Sequence, residues 1–258
     1  MPDLTIGLLH PGEMGAAIGA ALRADGRRVV WASAGRSDAS KRRASVADLE
    51  DVGETAALCA ASDVILSVVP PGEAAAIAAT ITGFGGIYVD ANAISPSTAN
   101  RVATIIRALG ARPVDGGVIG KPPVARGDVR IYLSGTEAEQ VAALFSGTIV
   151  EARVAGPGIG DASAVKVAYA GWTKGTIALL LTMREYATRA GVQAVLLQEW
   201  AESQPALGDQ LTAAANAAEK KGWRWIAEML EISGALEALG LPAGFHEAAA
   251  QVYAAEGR

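Results

Sequence analysis

From Leu4 to about Gly147, short Val- and Ile-rich runs alternate with Ala-rich stretches, and this alternation constrains the fold more than any other feature of the chain. The runs fall at 4–9, 28–32, 63–69, 86–90, 111–114 and 130–134. Continuous apolar strands are buried on both faces, so the pattern predicts an α/β, doubly wound parallel sheet covered by helices. The regime ends at Gly156-Pro157-Gly158, after which no convincing strand follows. Residues 161–190 read as one helix of about 30 residues, N-capped by Asp161 and stopped at Gly191. Further helices are expected at 193–203, 206–219, 223–239 and 243–255, punctuated by Pro205, Gly222 and Gly240-Leu241-Pro242. Two domains follow: 1–157 built on the sheet, and 158–258 all-α, entered through the long helix.

Composition narrows the partners. Of the 258 residues 51% are hydrophobic and 19% charged, which supports a substantial core, and the net charge of -5 provides no broad basic face for nucleic acid or an anionic membrane. A small-molecule partner is favoured. Cys59 is the only cysteine, which excludes an internal disulfide and fits a reducing compartment; it reads as a small buried apolar residue. With His10 and His246 the only histidines, no metal site is expected. The opening Met-Pro-Asp-Leu-Thr-Ile-Gly-Leu-Leu enters a strand without a basic region, and no apolar run reaches the roughly 18 residues of a membrane span, so the expected location is cytoplasmic.

The first run turns through His10-Pro11-Gly12-Glu13-Met14-Gly15 into an Ala-rich helix. A glycine turn at that place lets backbone approach a pyrophosphate, and the helix N-terminus directs its free N–H groups and positive dipole at the phosphates. Gly12 and Gly15 match the second and third glycines of G-x-G-x-x-G, while His10 stands at the first. Between a buried strand and a helix at the start of a βαβ series, this turn indicates a Rossmann domain, with His10, Pro11, Gly12, Glu13 and Met14 against the cofactor. The His10 imidazole either approaches the cofactor or is simply a side chain that the turn tolerates, and tolerance is the favoured reading. NAD sites usually carry an acidic residue at the end of the second strand. This chain instead reads Trp31-Ala32-Ser33-Ala34-Gly35-Arg36-Ser37, in which Arg36 can make paired charge-assisted bonds to a 2'-phosphate and Ser33 and Ser37 can add neutral donors. NADP(H) is therefore the expected cofactor. Lys41, Arg42 and Arg43 read as a solvated loop. Val69, Pro70 and Asn92 lie just past strand ends, where they are expected to flank the nicotinamide.

These residues resemble the β-hydroxyacid dehydrogenase and 6-phosphogluconate dehydrogenase superfamily over nearly the whole chain. The resemblance is carried by Ile6-Gly7 to Gly15, Asp90 to Pro96, Val114-Asp115-Gly116-Gly117-Val118-Ile119-Gly120 and, most specifically, Gly160-Asp161-Ala162-Ser163-Ala164-Val165-Lys166. It implies that Lys166 is the catalytic acid/base. The segments Trp223-Arg224-Trp225 to Ile232 and Gly240 to His246 are similar to a small C-terminal module of poorly defined function found in some members. Three positions depart from the superfamily pattern: Tyr169-Ala170 where relatives carry asparagine or histidine, Asn92 where a serine usually meets the substrate carboxylate, and Ile119-Gly120-Lys121 in place of Ser-Gly-Gly. The resemblance therefore does not name the substrate.

At 3.6 residues per turn, Lys166, Tyr169 and Thr173 share a helix face, with Val165, Trp172 and Thr176 nearby. A lysine near the start of a long, mostly apolar helix is partly desolvated, which suits a general acid. The expected chemistry is hydride transfer between nicotinamide and a carbonyl or hydroxyl carbon of a small acidic substrate. Lys166 exchanges the proton, and Tyr169 or Thr173 orients the oxygen. Asn92, Gly120 and Lys121 are candidates for the substrate mouth, with a solvated loop the equal alternative for Lys121. Trp223, Trp225 and His246 either close the pocket or pack in the core or a homodimer interface; Lys174 and Arg184 read as surface groups. Two alternatives stay open: an imine reductase on the same scaffold, whose helix lysine is typically replaced, and a catalytically silent NADP-binding protein.

Overall fold

The structure, a computed structural model, describes residues 4–256; residues 1–3 of the opening segment and 257–258 lie outside it. The chain divides into two compact units after Lys166.

The first unit alternates strand and helix: β1 (Thr5–Leu9), α1 (Glu13–Ala24), β2 (Arg28–Trp31), α2 (Asp38–Val46), β3 (Glu50–Asp51), α3 (Thr55–Ala61), β4 (Val64–Ser67), α4 (Ala74–Ala78), β5 (Ile87–Asp90) and α5 (Pro96–Ala108). It continues with β6 (Arg112–Gly120), β7 (Val129–Ser134), α6 (Ala138–Ala142) and β8 (Glu151–Gly156). The described strands form one sheet in the order β3-β2-β1-β4-β5-β6-β7-β8. Because strand side chains alternate across the sheet, each run feeds two cores. Ile6, Leu8, Val29, Val64 and Val89 pack with Ile18 and Leu22 of α1 on one face. Val30, Ile65 and Tyr88 pack with Leu58, Val102 and Ile106 of α3 and α5 on the other. Full burial of one such Ile or Leu contributes about 1.5–3 kcal/mol.

The doubly wound α/β class holds, with two corrections to the all-parallel expectation. β7 runs antiparallel to β6, from Asp115↔Ser134 to Gly120↔Val129, and β8 then runs parallel to β7. The short edge strands β3 and β8 escaped the pattern because neither is an apolar run: β3 is two exposed acidic residues, and β8 includes Glu151 and Arg153. The cations after β2 lie on helix α2 rather than in a loop, and Arg43 is partly buried, with Nε donating to Pro11 O at 2.9 Å.

The long helix α7 (Asp161–Arg189) starts within the first unit and continues into the second, followed by α8 (Gln193–Ser203), α9 (Leu207–Ala238) and α10 (Gly244–Glu256). The unit boundary therefore falls later than residue 157, because the first turn of α7 is bound to the sheet. Gly191, at φ 73°, ends α7, with Val192 N donating to Ala187 O at 2.9 Å. Gly222 does not interrupt α9. It is buried against Tyr253 of α10, whose Cδ1 would lie 3.6 Å from an added Cβ, so tertiary packing overrides glycine's weak helix preference. Leu181, Leu211, Met229, Ile232 and Tyr253 form the helical core. Gly171 and Gly175, one turn apart on α7, leave a notch for α10: added Cβ atoms there would meet His246 Nε2 at 3.2 and 3.3 Å. Lys174 is not a surface group. Its ammonium pairs with Glu228 and lies 5.4 Å from the centroid of the Trp225 ring.

Candidate active site

The glycine turn is built from backbone conformation first. His10, in the place of the first motif glycine, has φ 62°, the left-handed region that glycine enters without cost. The turn thus keeps the conformation and changes only the side chain. Gly12 N donates to His10 O at 2.7 Å and closes it. An added Cβ on Gly12 would meet nothing within 4 Å, which leaves the open approach that a pyrophosphate needs, whereas on Gly15 it would press on His10 O at 3.3 Å and Leu8 Cδ1 at 3.6 Å. Those are the roles the motif gives to its second and third glycines. Gly12 is the N-cap of α1 and no side chain caps it, so the helix that Glu13 and Met14 begin turns its N-terminal end and positive dipole toward the glycine turn. These residues fit a dinucleotide.

Arg36 lies in the loop after β2 and is partly buried. Its charge, after burial, is the second cause that pulls the His10 imidazole from its ordinary 6.5 down to about 4. Burial also lowers the Arg36 guanidinium, and its Nε has no hydrogen-bond partner. Ser33 N donates to Asp51 Oδ1 at 3.2 Å, and Ser37 caps α2 by accepting from Ser40 N. The sequence reading missed Arg43, whose bond to Pro11 ties α2 to the glycine turn.

At the ends of β4 and β5, Asn92 is buried and engaged on each side of its amide. Oδ1 accepts from Val69 N at 2.6 Å, Nδ2 donates to Ser67 Oγ at 3.4 Å, and Asn92 N donates to Asp90 Oδ1 at 3.1 Å. It clamps the two strand ends and fixes Val69, while Pro70 stays exposed. Gly120 ends β6 and Lys121 opens the β6–β7 connection. Gly120, at φ 129°, approaches Asp128 O so closely that a Cβ would lie 2.1 Å from it. Lys121 is paired with Asp128 at 3.0 Å, and Asp128 is held down to about 2 by the N–H groups of Val124 and Ala125 together with Lys121.

Lys166 is positioned by a buried polar node that sequence reasoning also missed. Asp115 of β6 accepts from Ser134 Oγ, Gly160 N and Ser163 N at 3.0, 3.0 and 2.9 Å on Oδ2, and from Ser163 Oγ at 2.6 Å on Oδ1. Ser134 Oγ accepts from Ala162 N at 3.0 Å. Asp161 was expected to cap α7; instead its carboxylate turns back to Gly158 N, and the sheet supplies the cap. The available signal was an acidic residue inside a buried run, Val114-Asp115-Gly116-Gly117. Those glycines let the helix lie on the strand: a Cβ on Gly117 would sit 2.9 Å from Lys166 Cβ, and one on Gly116 3.0 Å from Asp90 O. Gly116 and Gly117, having no side chains, thus let β6 pack closely against the stem of Lys166 and the segment leading into Asn92.

Residues 5–146 match the family described as the NAD binding domain of 6-phosphogluconate dehydrogenase. The chain belongs to this family. Its C-terminal residues 187–255 match a domain of unknown function, DUF1932. Among solved structures, the conserved protein MTH1747 of unknown function, described as structurally similar to 3-hydroxyacid dehydrogenases, is 26% identical with a TM-score of 0.75, and the match covers 98% of this chain and 96% of that one. Mycobacterium tuberculosis 3-hydroxyisobutyrate dehydrogenase with L-serine is 17% identical with a TM-score of 0.73, covering 98% and 93%. Aspergillus terreus reductive aminase, in complex with NADPH4, cyclohexanone and allyl amine, is 19% identical with a TM-score of 0.62, covering 99% and 95%. No curated protein matches. As a member of this family the chain carries a nicotinamide-dinucleotide domain of the oxidoreductase type, and no described helix is long and apolar enough to cross a membrane.

The remaining candidates of this family member lie in the helical unit. Tyr169 is half-exposed, and Thr173 donates its hydroxyl to Tyr169 O at 2.9 Å. Trp225 packs edge-on against Tyr253, with centroids 5.0 Å apart, and His246 Nε2 lies 3.2 Å from Gly171 O. Tyr253 Oη donates to Lys174 O at 2.5 Å, and burial, then the Glu228 charge, pushes its phenol well above the ordinary range. Trp223 is exposed.

Proposed function

We propose that this chain is an NADP(H)-dependent oxidoreductase that interconverts a carbonyl and a hydroxyl on a small acidic substrate, with Lys166 as general acid and base. The bound nicotinamide supplies or accepts the hydride. The observation that carries the reading is the contact of the Lys166 stem with Gly117, on the strand next to the one that leads into Asn92. A proton donor held there serves an oxygen reacting near the carboxyl ends of the strands, where ligands of open α/β sheets bind.

The residues divide the work. His10 to Met14 lie against the dinucleotide, with Gly12, Glu13 and Met14 at its pyrophosphate, Arg36 with Ser33 and Ser37 takes a 2'-phosphate, and Val69, Pro70 and Asn92 border the nicotinamide. Asn92 acts by holding Val69 in place as well as by facing substrate. Tyr169 and Thr173, on the next turns of α7, are the candidates for orienting the oxygen. Gly120 and Lys121 are candidates for an acidic group, for which Lys121 must be shared with Asp128. Trp225 and His246 serve mainly as packing in the helical unit. A single buried cysteine suits the reducing cytoplasm.

The working form is a homodimer. On α7, Tyr169, Trp172, Thr176, Leu179, Met183 and Tyr186 recur at alternating steps of three and four, the spacing of a helix–helix seam. Five of the six are large side chains exposed between 41% and 73%, which is unusual for a helix with no partner on that face. A second copy of the same stripe is self-complementary.

The deciding experiment offers small keto acids, semialdehydes and cyclic imines with NADPH to the parent protein and to Lys166→Ala. The expected result is turnover of a carbonyl substrate by the parent, with the variant still binding NADPH but inactive. Unchanged turnover ends the role of Lys166. Turnover of imines alone favours the imine-reductase alternative, and NADPH binding without any turnover favours a silent binding protein.

A further inference from the structure

The strained residue of the glycine turn is the one that glycine would serve best. His10 occupies a left-handed conformation at φ 62° that disfavours any side chain, yet carries an imidazole whose Nδ1 is buried with no hydrogen-bond partner. The Nε of Arg36, whose charge acts on this imidazole, is likewise buried and unpartnered. Two nitrogen-bearing groups, each with an unsatisfied buried nitrogen and the charge of one acting on the other, form a cost without a return unless an anion completes them. The surrounding charges fit this. Arg36 approaches from the loop after β2, Arg43 reaches in from α2 to Pro11 O, and Glu13 opens α1, while Val68 and Val69 past the end of β4 bring no charge.

We propose that His10 is a direct ligand of the phosphate monoester on the adenosine ribose, sharing it with Arg36, and that seating this phosphate is coupled to proton uptake at His10. The inference rests on the NADP(H) reading of the site and extends it: the position usually given to a glycine becomes a second selector of the phosphorylated dinucleotide. Without ligand, burial and Arg36 keep the imidazole neutral down to about pH 4. A nearby dianion reverses that balance and favours the imidazolium, so affinity for the phosphorylated cofactor rises as the pH falls.

The test measures dissociation constants of NADPH, NADH, 2',5'-ADP and 5'-ADP at pH 6 and pH 8 for the full chain and for His10→Gly, His10→Asn and Arg36→Ala. His10→Gly suits the backbone at this position, and its fold is checked by circular dichroism. His10→Asn tolerates the left-handed region and keeps a donor that does not titrate. The expected result is that His10→Gly weakens NADPH and 2',5'-ADP about tenfold, the scale of one charge-assisted hydrogen bond, while leaving NADH and 5'-ADP within about twofold. Parent affinity for NADPH should also rise from pH 8 to pH 6 by more than that of His10→Gly or His10→Asn, whose residual change is the titration of the phosphate itself near about pH 6. Equal weakening of NADH and NADPH would assign His10 to the pyrophosphate and overturn the inference, as would superimposable pH profiles. A parent protein that prefers NADH overturns the cofactor reading as well; a parent that prefers NADPH through Arg36 alone overturns only the role of His10.

Discussion

Ser163 donates its hydroxyl to Asp115 Oδ1 at 2.6 Å while its backbone N–H bonds Oδ2 of the same carboxylate at 2.9 Å, so one serine fastens the first turn of α7 to β6 twice. With Ser134 Oγ and Gly160 N also donating, Asp115 is surrounded by donors alone. Asp115→Asn puts an N–H₂ group among them and leaves at least one buried donor without an acceptor. The expected loss is about 1–3 kcal/mol in urea unfolding, with a fall in kcat from displacement of Lys166. A fully active variant of parental stability would contradict the positioning role.

Gly117→Ala probes the same contact from below. Its Cβ would enter within 2.9 Å of both Ala162 O and Lys166 Cβ, and a backbone oxygen cannot swing aside as a flexible side chain does. Destabilisation of about 1–3 kcal/mol is expected, together with lost turnover and retained dinucleotide binding. Denaturant melts and cofactor titration separate the two effects.

The His10 imidazole makes the fold sensitive to acid. Its folded value, near 4, lies below the 6.5 of the unfolded chain, so the unfolded state binds the proton first. Stability is therefore retained above pH 6.5, declines as the pH falls through the window from 6.5 to 4, and changes no further from this source below it. Allowing for solvent screening of a partly exposed ring, the loss is about 1–2 kcal/mol. Parallel urea titrations at pH 7 and pH 4 should show the gap between parent and His10→Gly shifting by that amount in favour of the glycine variant.

Leu179→Glu places a charge in the middle of the exposed stripe on α7, on a side chain that is 46% exposed in the single chain. The monomer fold should be unaffected. The mass measured by light scattering should drop from two chains to one; a parent protein already at the mass of one chain would refute the dimer.

Lys174 and Glu228 test the helical unit alone. Their side chains are only 16% and 9% exposed, so removing one charge takes a counter-charge from the other in a poorly solvated place. Glu228→Ala is expected to cost about 3 kcal/mol, read by thermal or urea unfolding, and Lys174→Met combined with Glu228→Leu should recover much of it.

Most of the sheet was readable because buried parallel strands must be apolar on both faces, and runs such as Val64–Ser67 meet that requirement without help from distant residues. Glu50–Asp51 and Glu151–Gly156 were not readable, since an edge strand is defined by its neighbour's free N–H and C=O groups rather than by its own composition. The site divided in the same manner. The glycine turn and the lysine on α7 are local patterns, and both were visible. The caps on α7 come from Asp115 and Ser134, 48 and 28 residues away from the groups they bind, and no spacing rule encodes them. Lys174 was misread because its partner on α9 is 54 residues distant. His10 looked tolerated until its backbone angle and unpartnered nitrogen were seen together.

The chain crosses from one unit to the other inside a helix, since the boundary at Lys166 falls within Asp161–Arg189. Every peptide group across that boundary is committed to an intrahelical bond, so a protease that needs several residues of extended chain finds no foothold there. Limited digestion should therefore nick surface turns before it cuts within the helix at the junction.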